Sequence, residues 1–357
     1  MFATAIPVCY SRSDHNLIAA VKTRATCLAI PEAPLHLRKL YWTIVLPNAC
    51  MGLLRLEVRG GEAVSLRPPL GLIANGLVEH KHYPFPTWKE YLCRFPPNKR
   101  KALIRARKRI YRGGRLSQGQ FCYNAFVKRE KQMIITKRPF VPTRPRLIQG
   151  ISPVMKVTGG QWFLHYSNLL KYEWHIHNWI WYSSGITADH QTYWINYHLD
   201  RLGPSISLSS DFSKYDVTQG PFPMKRERRH YRSLGIEGIL GGREYLKAQK
   251  RSRVYAKGMC WQVDATRKSG DNNTSSGNSK NTAEAFVSWI VPHCWSVLLE
   301  ARDHVALAVM GDDNYALMTL RLLLTFGNSV EEALDAVVSS FTQHCTILGY
   351  QVKVLAT

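Results

Sequence analysis

The sequence predicts a mixed α/β chain, α+β in arrangement, with a small antiparallel sheet in its C-terminal half. Three stretches carry that expectation. Ser205 to Ser210 alternates, with Ile206 and Leu208 on one face, and the run gives out at Asp211. His304 to Met310 is apolar, Gly311-Asp312-Asp313-Asn314 has turn chemistry, and Tyr315 to Leu320 is apolar again, so a hairpin with carboxylates at its tip is expected. Ser329 and Glu332 have the spacing of a capping box, followed by an apolar helix face of Val330, Leu334, Val337, Phe341 and Cys345. Gly349 is the expected stop, and Tyr350 to Leu355 alternates like a closing strand.

The length, 357 residues, is enough for two or three subdomains around a sizeable core. A hydrophobic share of 45% excludes a disordered tail. Lys and Arg number 48 against 25 Asp and Glu, and a formal charge of +23 points to a polyanionic partner, nucleic acid ahead of a membrane surface. Cys9, Cys27, Cys50, Cys93, Cys122, Cys260, Cys294 and Cys345 are scattered singly. Without a CxxC pair they suggest neither a zinc ribbon nor a disulfide framework, and a reducing compartment is the simplest inference. Met1 to Pro7 lacks the basic start and apolar core of a secretory leader. No transmembrane segment is expected, since Phe286 to Leu299 is interrupted by Pro292 and His293 and reads as a buried amphipathic helix. A P-loop is missing, which argues against an NTPase motor.

Charge is concentrated. Nine of the seventeen residues from Lys99 to Arg115 are Lys or Arg, and further basic runs span Lys128 to Arg146 and Lys225 to Lys268. Interleaved aromatics (Tyr111, Phe121, Tyr123, Phe126, Phe140) favour a groove that tracks phosphates over plain solvated faces. The alternating pairs His80/His82 and His175/His177 have no evident third ligand, so metal binding there is not expected. Trp162, Trp174, Trp179, Trp181 and Trp194 are assigned to core packing, with base stacking as the alternative.

The chemistry is expected at two carboxylate clusters, Asp211-Phe-Ser-Lys-Tyr-Asp216 and Gly311-Asp312-Asp313. Both lie at strand ends, so neighbouring strands of one sheet would bring Asp211 beside Asp312. Carboxylates that close repel unless a cation lies between them, and Mg²⁺ suits hard oxygen ligands with room for water and phosphate. Between the clusters, Ser269-Gly270-Asp271-Asn272-Asn273-Thr274-Ser275-Ser276-Gly277-Asn278 is a small, polar, flexible stretch leading into an apolar helix, on which Thr274 and Asn278 share a face.

Taken in order, these segments resemble motifs A (Asp211 to Asp216), B (Ser269 to Asn278) and C (Gly311 to Asp313) of viral RNA-dependent RNA polymerases. Upstream, Phe126-Val127-Lys128-Arg129-Glu130, Lys137 and Arg144-Pro145-Arg146-Leu147-Ile148-Gln149 resemble motif F. The wording of motifs F and B is closest to the tombusvirus-like polymerases of positive-strand RNA viruses. The resemblance implies a right-hand polymerase. Residues 1–205 would form an N-terminal region and fingers, with motif F at about 126–150. The palm would be 206–357, with a basic fingers insertion at about 222–266 and no recognisable thumb. It implies template-directed ribonucleotidyl transfer by two metal ions, Mg²⁺ or Mn²⁺. Asp211 and Asp312 would be ligands and Asp313 would support them. Asp216 and Asn278 would sense the ribose 2′-hydroxyl, while Ser269, Gly270 and Thr274 help place nucleotide and template. Lys128, Lys137, Arg144 and Arg146 would neutralise the triphosphate, and Lys353 would protonate the leaving pyrophosphate. The implied partners are RNA template, nascent RNA, NTPs, and an accessory replication protein or second chain supplying the thumb. The implied place is the host cytoplasm, in membrane-associated replication complexes.

Two other classes remain open on sequence grounds. A reverse transcriptase would share the Asp211/Asp312 pair, but Asn278 facing Asp216 favours ribonucleotides. A non-catalytic RNA-binding or capsid-like protein explains the charge of +23 but not carboxylates at two strand ends. A degenerate polymerase kept as a scaffold is disfavoured by its intact motif carboxylates.

Overall fold

Among the described residues two sheets form, each with its own apolar core. In the computed structural model, which describes residues 35–40, 42, 85–112, 116–128 and 147–357, the first sheet joins β1 (Tyr123–Val127), β2 (Leu147–Ile151), β5 (Arg251–Ala256) and β6 (Met259–Asp264) in the order β2-β1-β5-β6. The second joins β3 (Ile180–Tyr182), β4 (Ser205–Phe212), β7 (Val305–Met310), β8 (Asp313–Thr319) and β9 (Val352–Ala356) in the order β3-β7-β8-β4-β9. The fold is mixed α/β and compatible with the α+β expectation, but both sheets mix parallel and antiparallel pairs. The second sheet is not the purely antiparallel one expected, because β3 joins β7 in parallel.

Helices α1 (Pro97–Tyr111) and α2 (Pro153–Glu173) pack on the first sheet with α4 (Pro221–Ser233) and α5 (Gly242–Lys250). Helix α1 carries Leu103, Ala106 and Ile110 at helical spacing, and only that stripe is buried. Lys99, Lys101, Arg105, Lys108 and Arg109 point outward, and no acidic residue interrupts them. The second sheet is covered on both faces. Val305, Leu307 and Val309 of β7 join the core made by α6 (Thr274–Ser296) and α7 (Val330–Leu348), while Ala306 and Ala308 join Trp181, Trp194 and Leu202 under α3 (Ala188–Leu202). This two-sided burial is why β7 reads as an unbroken apolar run.

Several expectations need correction. Strand β4 continues through Asp211 to Phe212, and the return arm of the hairpin begins at Asp313 rather than Tyr315. The stretch from Phe286 lies within α6, which runs through Pro292 to Ser296. Burial covers every residue from Ser276 to Val291, so α6 is not amphipathic. Ser329 caps α7 by accepting from Glu332 N, but the Glu332 carboxylate accepts from Asn328 N (3.2 Å), so the box is displaced by one residue. Phe121 and Tyr123 belong to the first core and offer no stacking surface, whereas Tyr111 and Phe126 are about half exposed. His175 and His177 lie in the turn after α2, not on a strand. Trp162, Trp174, Trp181 and Trp194 are core residues as expected. His80, His82 and Phe140 fall outside the described residues. No described helix is long and apolar enough to cross a membrane.

A helix buried all round must neutralise its own charges. Lys280 and Glu284, one turn apart on α6, pair at 2.5 Å, and Arg226 of α4 closes on the same carboxylate at 2.9 Å. Burial alone would raise Glu284, but Lys280 and Arg226 hold it down at about 2. Glu284→Gln leaves Lys280 buried without its counter-charge, so a loss of about 3–5 kcal/mol in unfolding free energy is expected in urea titrations at pH 7. A change under about 1 kcal/mol would show that the trio does not hold α6 in place.

Candidate active site

Register puts the carboxylates where the second sheet ends. Strands β4 and β8 pair from Ser205↔Thr319 to Ser210↔Asn314, so Asp211 is the next residue past the last pair, beside the turn at Gly311. Side chains fasten that junction. Ser210 Oγ donates to Asn314 Oδ1 (2.8 Å), and Asn314 Nδ2 donates to the carbonyls of Asp312 (3.1 Å) and Ser210 (3.2 Å). Gly311 takes φ +75°, a conformation that side chains disfavour, and so permits the tight reversal. Asp312 follows it, half-buried. Burial raises its carboxyl above the ordinary value, and the charges of Asp313, Asp216 and Asp211 push the same way against a backbone hydrogen bond. Three other carboxylates therefore act on Asp312. On the other flank of β4, Lys353 of β9 is the cross-strand partner of Asp211, and both are exposed.

Helix α6 holds the turn and the second aspartate. Ser279 Oγ accepts from Gly311 N (2.7 Å), and Thr282 Oγ1 donates to the Gly311 carbonyl (2.8 Å). One turn earlier, Asn278 Nδ2 donates to Asp216 Oδ1 at 2.9 Å. Asn278 Oδ1 accepts from Arg267 Nε at 3.0 Å, and Arg267 is in turn paired with the buried Glu227.

The loop ahead of α6 is closely bonded to its neighbours, with Asp271 and Asn273 buried and Ser269 exposed. Gly270 N donates to the Gln149 carbonyl (3.1 Å), Gln149 N donates to Ser269 Oγ (3.3 Å), and Gly150 bridges Gly270 in parallel register. Tyr123 of β1 donates to Asp271 Oδ1 at 2.9 Å. The loop is thus tied to the first sheet at three points. Thr274 Oγ1 donates to the Lys268 carbonyl (2.9 Å), with the Asp271 carbonyl at 3.1 Å, so its hydroxyl closes the loop onto the start of α6.

These segments enclose a cleft of about 840 Å³. Asp216, Asn278, Asp312, Ser269 and Thr274 line it, with Gln149 of β2 opposite. Asp313 instead lines a smaller hollow of about 400 Å³, with Trp181, Trp194 and Tyr315. Lys128 is exposed just past β1, while Lys137, Arg144 and Arg146 lie outside the described residues. Sequence reasoning passed over Lys214, Arg267 and Asp271, all on the cleft wall. Lys214 sits at φ +51°, in the left-handed region, inside the turn that presents Asp216. Strain of that kind collects at functional sites.

The donor set fits a divalent cation. No three described His, Cys, Asp or Glu side chains form a ready cage, but Mg²⁺ is normally held by one or two carboxylates plus water and substrate phosphates. The mutual repulsion already registered at Asp312 is the electrostatic condition such an ion relieves.

No protein-family model matches the chain, and no curated protein matches it.

Asp271 supplies a test of the loop. Burial lifts its carboxyl to about 6, against the pull of Arg267 and Lys268. A carboxyl raised on folding contributes stability in full below its unfolded value, near 4, and loses it as pH climbs through the folded value. Asp271→Asn keeps an acceptor for Tyr123 and removes the titration. Between pH 4 and 6.5 the wild type should lose about 2–3 kcal/mol relative to the variant and then level off. A difference constant across that window in pH-dependent urea melts would place the Asp271 carboxyl in a wetter setting than the fold implies.

Proposed function

We propose that the chain is the catalytic part of an RNA-dependent RNA polymerase, with a fingers-like first sheet and a palm-like second sheet. One observation carries the reading. Asp216, Asn278, Asp312 and Gln149 come from four segments far apart in sequence, and all line one cleft. These are the segments that resemble motifs A, B, C and F. The lack of any family or curated match leaves the reading resting on those motifs and that convergence.

In this reading a primer 3′-hydroxyl attacks the α-phosphate of an NTP and pyrophosphate leaves. Two Mg²⁺ or Mn²⁺ ions bound by Asp211 and Asp312, with Asp313 adjacent, would stabilise charge on the attacking and leaving oxygens. Asp216 and Asn278 present an acceptor and an amide donor to the ribose, whose 2′-hydroxyl can meet both. Lys128, Lys137, Arg144 and Arg146 would bind the triphosphate as fixed cations. Lys353, the β9 residue paired with Asp211 of β4, would act as general acid toward the departing pyrophosphate. The exposed cations of α1 offer a surface for template or product phosphates. Viral RNA synthesis in membrane-associated complexes of the host cytoplasm, with a partner supplying a thumb, completes the proposal.

The asymmetry between exposed cations and clustered carboxylates separates this reading from a plain RNA-binding protein. Labelled ribonucleotide incorporation on an RNA template should require Mg²⁺ and fall at least about a hundredfold in Asp312→Asn, the scale of losing one preorganised electrostatic stabiliser. Equal incorporation by both proteins would remove Asp312 from the chemistry. RNA binding with no incorporation by the wild type would favour the binding-protein reading.

A further inference from the structure

We propose that Arg267 is a positioning residue that fixes the rotational state of the Asn278 amide, and that ribose selection depends on it. The inference rests on the polymerase reading and extends it to a residue which that reading does not use.

Asn278 is 4% exposed and lies between two groups of opposite hydrogen-bonding character. Arg267 Nε stands 3.0 Å from the amide oxygen, and Asp216 Oδ1 stands 2.9 Å from the amide nitrogen. A guanidinium only donates and an ionised carboxylate only accepts. Turning the amide over would set N–H against N–H and oxygen against oxygen, so the pair permits one orientation. Without Arg267, only the Asp216 side would hold it. The same residue also holds Asp216 through the main chain, since Arg267 N donates to the Asp216 carbonyl at 3.1 Å. One residue thus sets both halves of the ribose-facing pair.

Arg267 is itself fixed from behind. It is 3% exposed, and Glu227 of α4 accepts from its Nη2. Glu227 also accepts from the Tyr231 hydroxyl and from Asn273 Nδ2 (2.6 Å), and Asn273 accepts from Gln249 Nε2 (2.8 Å). Gly277 leaves room for the ion pair, because a Cβ there would meet Glu227 Oε1 at 2.5 Å and Arg267 Nη2 at 2.7 Å. Nε and Nη2 of Arg267 are both engaged, while its Nη1 is buried without a partner, so the two bonded nitrogens hold the amide in place before a nucleotide arrives.

The test compares kcat/KM for ATP and 2′-deoxyATP in the full chain, with Arg267→Lys, Asn278→Ala and the double variant, alongside thermal melts. Lysine keeps the charge for Glu227 but lacks the fork that reaches Asn278 at the same time. The ATP preference of Arg267→Lys should fall about tenfold, through a higher KM for ATP with 2′-deoxyATP little changed. In the Asn278→Ala background the Arg267 substitution should lower the preference no further. An unchanged preference, an equal loss with both nucleotides, or additive losses in the double variant would each overturn the proposal. Equilibrium binding of ATP and 2′-deoxyATP with Mg²⁺ separates this failure from failure of the polymerase reading. A wild type that incorporates nothing yet binds ATP more tightly, with the preference lost in Arg267→Lys, supports the positioning role without polymerisation. A wild type that incorporates both nucleotides without preference overturns the positioning role alone, and one that neither incorporates nor binds either nucleotide overturns both.

Discussion

Helix α6 is surrounded by protein on every side, and that condition organises the molecule. A buried helix cannot leave polar side chains unpartnered, yet this one carries Asn278, Ser279, Lys280, Asn281, Thr282 and Glu284 in succession over two turns. Together they face several neighbours. Asn278 meets Asp216, Ser279 and Thr282 meet the Gly311 turn, Asn281 meets Gln219, and Lys280 and Glu284 meet each other and Arg226. Two of those neighbours, Asp216 and the Gly311 turn, line the cleft. Satisfying the helix and assembling the site are one event, so the carboxylate turn is placed to within hydrogen-bond tolerance by groups that never touch a ligand.

Charge is separated with the same economy. The surface surplus of Lys and Arg is spread over exposed faces such as the outer side of α1, where Arg107 stacks between Trp88 and Tyr111 at 4.8 and 5.0 Å. The carboxylates Asp211, Asp216, Asp312 and Asp313 gather instead at the end of one sheet, close enough for three of them to raise the fourth. The buried acids Glu227 and Glu284 are treated oppositely, since burial would raise both and adjacent cations bring both down. Glu227 and Glu284 are thus neutralised internally, whereas Asp312 is left under the combined push of burial and its three carboxylate neighbours.

Much of the second sheet was legible because its signals are local. Period-two alternation marked β4, and Gly-Asp after an apolar run marked the hairpin. Both hold, because the alternation of β4 and the Gly311 turn are set by residues adjacent in sequence. The first sheet was less legible. Its strands β1 and β5 pair in parallel across 130 residues, and the inward side of Tyr123 was indistinguishable from the outward side of Phe126 without that register. The motif B stretch looked flexible because its composition is small and polar, although the structure uses that smallness for close backbone contact with β2. Arg267 and Glu227 were hidden by distance, 40 residues apart in sequence. A signal for the pair did exist: Glu227 is the lone acid in the run Lys225 to His230, and a single acid inside a basic helix invites a search for a buried partner.

The loop from Ser269 to Asn273 is where the two sheets are mechanically joined. Its backbone and side chains bond to Gln149 and Tyr123 of the first sheet, and its C-terminal end is the start of α6, which holds Asp216 and the Gly311 turn in the second. A shift of β1 and β2 must therefore act on Asn278 within one helical turn, because no flexible linker lies between them. Under the polymerase reading, the segment continuing into β2 carries the triphosphate-binding cations while α6 carries the ribose contact. Closure of one around phosphate would then be felt at the other through the Gln149–Gly270 and Tyr123–Asp271 bonds. The Asp271 carboxyl, buried and raised, puts a titrating group within that joint. The geometry that presents carboxylates at the end of the second sheet is thus linked, through five loop residues, to whatever the first sheet binds.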